Sequence, residues 1–131
     1  MKHIIIVDDE PHVARVLKIC LEREGYGVQF ASEGQQALRL IRISAPDILI
    51  TDINMQGMGG RELCETLASE FPERAFLTLV MTSMTALDSR AWVKTLSNTE
   101  FLEKPLSPRI LVARLHKFFS SVGNAQEVHR V

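Results

Sequence analysis

The sequence predicts an α/β protein: five parallel strands in a doubly wound sheet, with five helices covering both faces. Three observations carry this. Apolar runs alternate strictly with segments of helical period, an order that forces parallel strands joined by right-handed crossovers. The runs Ile4-Ile5-Ile6-Val7, Ile48-Leu49-Ile50 and Leu77-Thr78-Leu79-Val80-Met81 are nearly continuous, as in strands buried on both faces. Four of the runs also end in polar residues, at the strand ends where open α/β sheets bind ligands.

The elements follow in order. Ile4–Val7 is the first strand and ends in Asp8-Asp9. Pro11 suits a first helical turn, and Val13, Val16, Leu17, Cys20 and Leu21 recur at i, i+3, i+4, i+7 and i+8, predicting the core face of the first helix. Gly25 and Gly27 punctuate its exit, and Val28–Ala31 is a short second strand. Ser32 with Gln35 has the form of a capping box, and Ala37, Leu38 and Ile41 give the next helix its apolar face. A third strand ends at Asp52. Leu63, Cys64 and Leu67 mark a third helix, closed near Phe71-Pro72. The run Ala75–Met81 ends in Thr82-Ser83 and leads to a fourth helix around 86–96, with Leu87, Ala91 and Trp92 inward. Phe101-Leu102-Glu103 ends in Lys104-Pro105. Ser107 and Pro108 then suit the N-cap and first position of a last helix that turns Leu111, Leu115 and Phe118 inward. Residues 1–120 read as one domain; residues 121–131, with Gly123-Asn124 and no period, read as a tail or the start of a linker.

Composition excludes several classes of protein. A chain of 131 residues, 46% hydrophobic and 24% charged, is an ordinary globular domain with enough length for one core. A net charge of −1 offers no bulk attraction for nucleic acid. No apolar stretch approaches the roughly 20 residues of a membrane span, and Met1-Lys2-His3 does not open a signal peptide. Cys20 and Cys64 lie on apolar helix faces and read as reduced core thiols of a cytoplasmic protein. The histidines His12, His116 and His129 have no ligand-like spacing. Gly57-Met58-Gly59-Gly60 lacks the Lys-Ser/Thr of a phosphate-binding P-loop.

The strand ends carry the chemistry. Asp8, Asp9 and Asp52 would concentrate negative charge and raise one another's pKa. A hard divalent cation relieves that conflict, and an oxygen-rich set with one or two carboxylates suits Mg²⁺. With the repulsion reduced, a carboxylate can attack phosphorus and form an aspartyl phosphate. Lys104 would offer a positive charge to the phosphoryl oxygens, and the Thr82 hydroxyl a hydrogen bond. Any one of these residues alone is more simply a turn, a cap or a solvated loop residue. Four strand ends meeting at one crevice are not.

These residues resemble the receiver domain of two-component response regulators. The resemblance covers residues 3 to about 119. It rests on Val7-Asp8-Asp9-Glu10-Pro11, on Thr51-Asp52-Ile53-Asn54-Met55 with Gly60, on Met81-Thr82-Ser83, and on Phe101-Leu102-Glu103-Lys104-Pro105. The spacings of 30 residues from Asp52 to Thr82 and 22 from Thr82 to Lys104 are those of the family. The resemblance implies a flavodoxin-like three-layer sandwich of strand order 2-1-3-4-5. It implies that Asp52 is the phosphoacceptor and that Asp8, Asp9, Asp52 and the Asn54 carbonyl hold Mg²⁺. It further implies that Thr82, Ser83 and Lys104 bind the phosphate, with Asp52, Thr82 and Lys104 as the reacting set. Thr82 and Phe101 would form the switch, and a cis peptide bond would precede Pro105. The chain would take its phosphoryl group from a sensor histidine kinase or phosphotransfer protein, without being an enzyme beyond its own phosphorylation and dephosphorylation. Asn54 and Met84 would flank the path of the attacking water. A homodimer through the fourth helix, fifth strand and fifth helix is expected, with no direct contact to nucleic acid or membrane.

Three departures from the family pattern stand out. Gln56 replaces a usual proline, Ser83 a usual alanine or glycine, and Phe101 the commoner tyrosine. The competing reading is an aspartyl-phosphate phosphatase or phosphotransferase of the haloacid dehalogenase type. Such enzymes usually carry a second acid two residues after the nucleophile, where this chain has Asn54, and they have a cap segment that this chain lacks. A flavodoxin-like FMN-binding protein fits less well, because the acids would repel its phosphate.

Overall fold

The computed structural model describes residues 1–55, 57–82, 91–92, 94–104 and 106–129, the last eight as backbone only. Five strands form a single sheet: β1 (His3–Val7), β2 (Gly27–Ala31), β3 (Ile48–Asp52), β4 (Leu77–Thr82) and β5 (Thr99–Glu103). All pairs are parallel, in the order β2-β1-β3-β4-β5. Four helices lie among the described residues: α1 (Pro11–Arg23), α2 (Gly34–Ile43), α3 (Gly60–Glu70) and α4 (Pro108–His129). The additional helix expected around 86–96 falls mostly on residues 83–90 and 93, outside the described residues, although Ala91 and Trp92 are helical.

The apolar character of the strands follows their place in the sheet. Every residue of β3 and β4 is buried, and so are Ile4–Val7 of β1. The edge strands β2 and β5 instead carry exposed Gln29, Glu100 and Glu103. Alternate residues feed two cores. Ile4, Ile6, Ile48, Ile50 and Leu79 pack with Ala14, Leu17 and Leu21 of α1 and Leu111 and Leu115 of α4. Ile5, Val7 and Leu49 face the other way, onto Ala37, Leu38 and Ile41 of α2 and Leu63 and Leu67 of α3. This is the three-layer arrangement that the alternating pattern dictates.

Three local expectations are corrected. On α1, Leu17 and Leu21 are buried and Val13 packs on the core as expected, but Ala14 joins them and Val16 is 52% exposed. Small Ala14 lets the helix approach the sheet, and Val16 turns outward. At the start of α2 no capping box forms. Ser32 pairs with Gln36 instead of Gln35, its N–H and Oγ meeting Gln36 Oε1 at 2.9 and 3.0 Å. Glu33 is the N-cap residue, in extended conformation. The last helix does not end near 120; its backbone stays helical through His129, across a stretch that includes the good helix formers Ala125, Gln126 and Glu127.

Candidate functional site

The register brings the chemistry to one edge. Val7 lies opposite Thr51, Asp52 opposite Met81, and Thr82 opposite Glu103. Asp8, Asp52, Thr82 and Lys104 therefore leave the sheet side by side at the carboxyl ends of β1, β3, β4 and β5. Burial of β3 along its whole length carries Asp52 down to 3% exposure, and Asp8 is fully buried. Lys104 reaches across the crevice, its Nζ donating to Asp52 Oδ2 at 2.8 Å. Its backbone N–H donates to the Thr82 carbonyl at 2.8 Å, which ties the amine-bearing strand end to the hydroxyl-bearing one.

Burial and charge act in opposite directions here. Burial pushes the Asp8 pKa up, the Glu10 N–H bond to Oδ1 at 2.9 Å pulls it down, and the neighbouring Asp52 carboxylate raises it further. The net result is a raised pKa. For Lys104, burial works against the charge, but the bond to Asp52 and the attraction of Asp52, Asp8 and Glu10 outweigh it, so its pKa is raised. The lysine is a fixed cation in an acidic crevice.

The donor set fits a hard cation. One carboxylate oxygen from each of Asp8, Asp9, Glu10 and Asp52 lies within 4.8 Å of the others. Asp8 Oδ2 is buried and has no hydrogen-bond partner among the described residues, a costly condition for a carboxylate oxygen unless a cation meets it. Glu10 was not read as part of this cluster from the sequence. The turn closed by the Glu10 N–H on Asp8 brings it back toward the crevice.

The loop after Asp52 is tightly folded. The Asn54 N–H points at Asp52 Oδ1, 3.4 Å away. The loop closes where the Gly60 N–H donates to the Ile53 carbonyl at 3.0 Å. A Cβ on Gly60 would stand 2.2 Å from the Asp52 carbonyl oxygen, so only glycine fits there.

Thr82 is buried at the end of β4. Phe101 is half-buried on β5, opposite Val80, and packs against Cys64, Val80 and Trp92. Ser83, Met84, Gln56 and Pro105 lie outside the described residues. Cys64 is an inert thiol, since burial pushes its pKa up to about 12. No helix among the described residues is long and apolar enough to cross a membrane.

An open parallel sheet with acids at two strand ends, a hydroxyl at a third and a lysine at a fourth defines a phosphoryl-accepting signalling domain, and comparison with known proteins agrees. Residues 4–116 match the response regulator receiver domain family, and the chain belongs to it. It is a phosphoacceptor signalling module of two-component systems. The chain is similar to the alkaline phosphatase synthesis transcriptional regulatory protein PhoP of Bacillus subtilis, with 32% identity over 87% of this chain and 47% of that protein. It spans about half the length of the curated relatives it matches. Among solved structures, a CheY-like response regulator receiver domain protein from Methanospirillum hungatei superposes with a TM-score of 0.85, at 25% identity over 95% of this chain and 98% of that one. The signal receiver domain of a signal transduction histidine kinase from Syntrophus aciditrophicus gives 0.82, at 27% identity over 93% and 92%.

Proposed function

We propose that Asp52 accepts a phosphoryl group from a phosphohistidine of a sensor histidine kinase or phosphotransfer protein. The observation that carries this reading is the buried Asp52 carboxylate, held 2.8 Å from Lys104 beside the acidic cluster. A carboxylate oxygen of Asp52 forms the new O–P bond as the P–N bond breaks, and the departing imidazole nitrogen keeps the electron pair and takes a proton. Lys104 moves its donors from Asp52 to the phosphoryl oxygens, helped by the Thr82 hydroxyl and by Ser83. Asp8, Asp9, Asp52 and the Asn54 carbonyl would hold Mg²⁺, with Glu10 close by. When bound, that ion offsets the negative charge gathered at the nucleophile.

The conformational switch belongs to the same reading. Phosphorylation brings about 1.5–2 negative charges with strong acceptor oxygens, by analogy with other phosphorylated side chains. Thr82 moves toward them and Phe101 turns into the space it leaves. The surface formed by the segment around 86–96, β5 and α4 then changes shape for a partner or a second copy. An apolar groove of about 350 Å³, lined by Val13, Val16, Leu106 and Pro108, opens against Lys104 and gives the phosphodonor a place to dock beside the nucleophile. The module acts in the cytoplasm, catalyses only its own phosphorylation and dephosphorylation, and makes no direct contact with nucleic acid. Residues 1–120 form the domain, and 121–131 are a tail or the start of a linker, into which α4 continues as far as His129.

The test is labelling by a small acyl phosphate or amidophosphate. The expected product forms only with Mg²⁺, is labile to hydroxylamine as an acyl phosphate is, and forms much more slowly in Asp9→Ala. A hydroxylamine-stable adduct, or one that forms equally well in chelator, contradicts the reading.

A further inference from the structure

The first turn of the helix α2 grips the loop that follows Asp52. No side chain caps this helix. One of its orphan N–H groups, that of Gly34, instead donates to the Met58 carbonyl at 3.1 Å, so the loop itself caps the helix. The contact is closer than any side chain allows. A Cβ on Gly34 would stand 2.7 Å from both the Met58 carbonyl oxygen and Cγ, and 3.0 Å from its Cβ. One residue earlier, Gly57 has φ +71°, and a Cβ there would meet Glu33 Oε2 at 2.7 Å. The Met58 side chain packs against the core that α2 shares with β1 and β3. The far end of the loop is pinned by Gly60 on Ile53. Asn54 sits between these two anchor points, two residues from Asp52.

We propose that Gly34 and Met58 form a latch that positions the loop carrying Asn54, and so sets how well the crevice binds a divalent cation. This rests on the Mg²⁺ site proposed above. Magnesium demands near-ideal octahedral geometry and tolerates displaced ligands poorly. A methyl group on Gly34 drives the Met58 carbonyl back by about 0.7 Å to reach ordinary contact at 3.4 Å. The displaced loop carries Asn54 with it, although neither Gly34 nor Met58 is among the residues that would hold the cation.

Calorimetric titration of Mg²⁺ into the unphosphorylated protein tests this. Gly34→Ala is expected to weaken binding by about tenfold, the low end for residues that orient metal ligands. Leu115→Ala truncates a buried residue of α4 in the opposite core, lowers the melting temperature and leaves the affinity unchanged. Met58→Ala keeps the backbone bond but loses the packing; it is expected to weaken binding less than Gly34→Ala, and it carries the test if Gly34→Ala does not fold. Wild-type affinity in a folded Gly34→Ala, or in Met58→Ala when Gly34→Ala does not fold, overturns the latch while leaving the site reading intact. So does an equal loss in Leu115→Ala, which would make the effect one of stability alone. A wild type that binds no Mg²⁺ removes the site reading itself, and the latch with it.

Discussion

At Asp8, burial works against the charge that a cation site would need. Its Oδ2 is buried without a hydrogen-bond partner among the described residues, and burial together with the Asp52 carboxylate raises its pKa. A raised carboxyl pKa means that the folded state holds the proton more tightly than the unfolded state does. The favourable contribution is complete below the ordinary carboxylate range and is lost as pH rises through the raised value. At neutral pH in chelator, Asp8→Asn should therefore stabilise the protein, by about 1–3 kcal/mol on the cost of one unsatisfied buried group. That advantage should shrink as the pH is lowered and wild-type Asp8 gains its own proton. Urea titrations of both proteins at neutral and acidic pH measure it; a less stable Asn variant at neutral pH would show that Asp8 is satisfied in the cation-free state. The positions of Asp8, Asp52, Thr82 and Lys104 were legible because each directly ends or follows an apolar run, and parallel strands bring all such ends to one edge. Glu10 was not legible, since its place depends on a single hydrogen bond between Asp8 and a backbone N–H.

At the scale of elements, the link between β4 and β5 should carry the signal. The Lys104 N–H bond to the Thr82 carbonyl joins the two strand ends, and Phe101 lies across from Val80 on the same pair. Thr82→Ala leaves Asp52 and Lys104 in place, so phosphorylation should remain largely intact. The conformational response should weaken, because no hydroxyl then moves toward the phosphoryl group and opens space for Phe101. Amide chemical shifts around Phe101 and in α4, with and without beryllofluoride as phosphoryl mimic, report this. Shifts as large as those of the wild type would mean that the signal leaves Asp52 by another route. Helix faces were legible to within one residue: α2 and α3 bury the residues their period marks, whereas on α1 Ala14 joins Val13, Leu17 and Leu21 at the core and Val16 turns outward. The contact of α2 with the loop after Asp52 left no such trace. It joins residues 24 apart through a backbone carbonyl and two glycines, and has no periodicity to reveal it.

For the whole molecule, the parallel sheet could be read from strict alternation of strand and helix runs, and the buried centre from strands without polar alternation. The length of α4 could not be read, because residues 121–129 carry no apolar stripe that a core would demand, and a helix can continue on propensity alone. Sheet topology, burial and charge converge on Asp52 as the proposed phosphoacceptor. Intact-mass measurement after incubation with Mg²⁺ and a small phosphoryl donor, followed by peptide mapping of the trapped adduct, tests it most directly. The wild type should gain one phosphoryl group, located on Asp52, and Asp52→Asn should gain none. A full mass gain in Asp52→Asn, or an adduct mapped to another residue of the wild type, would contradict the account.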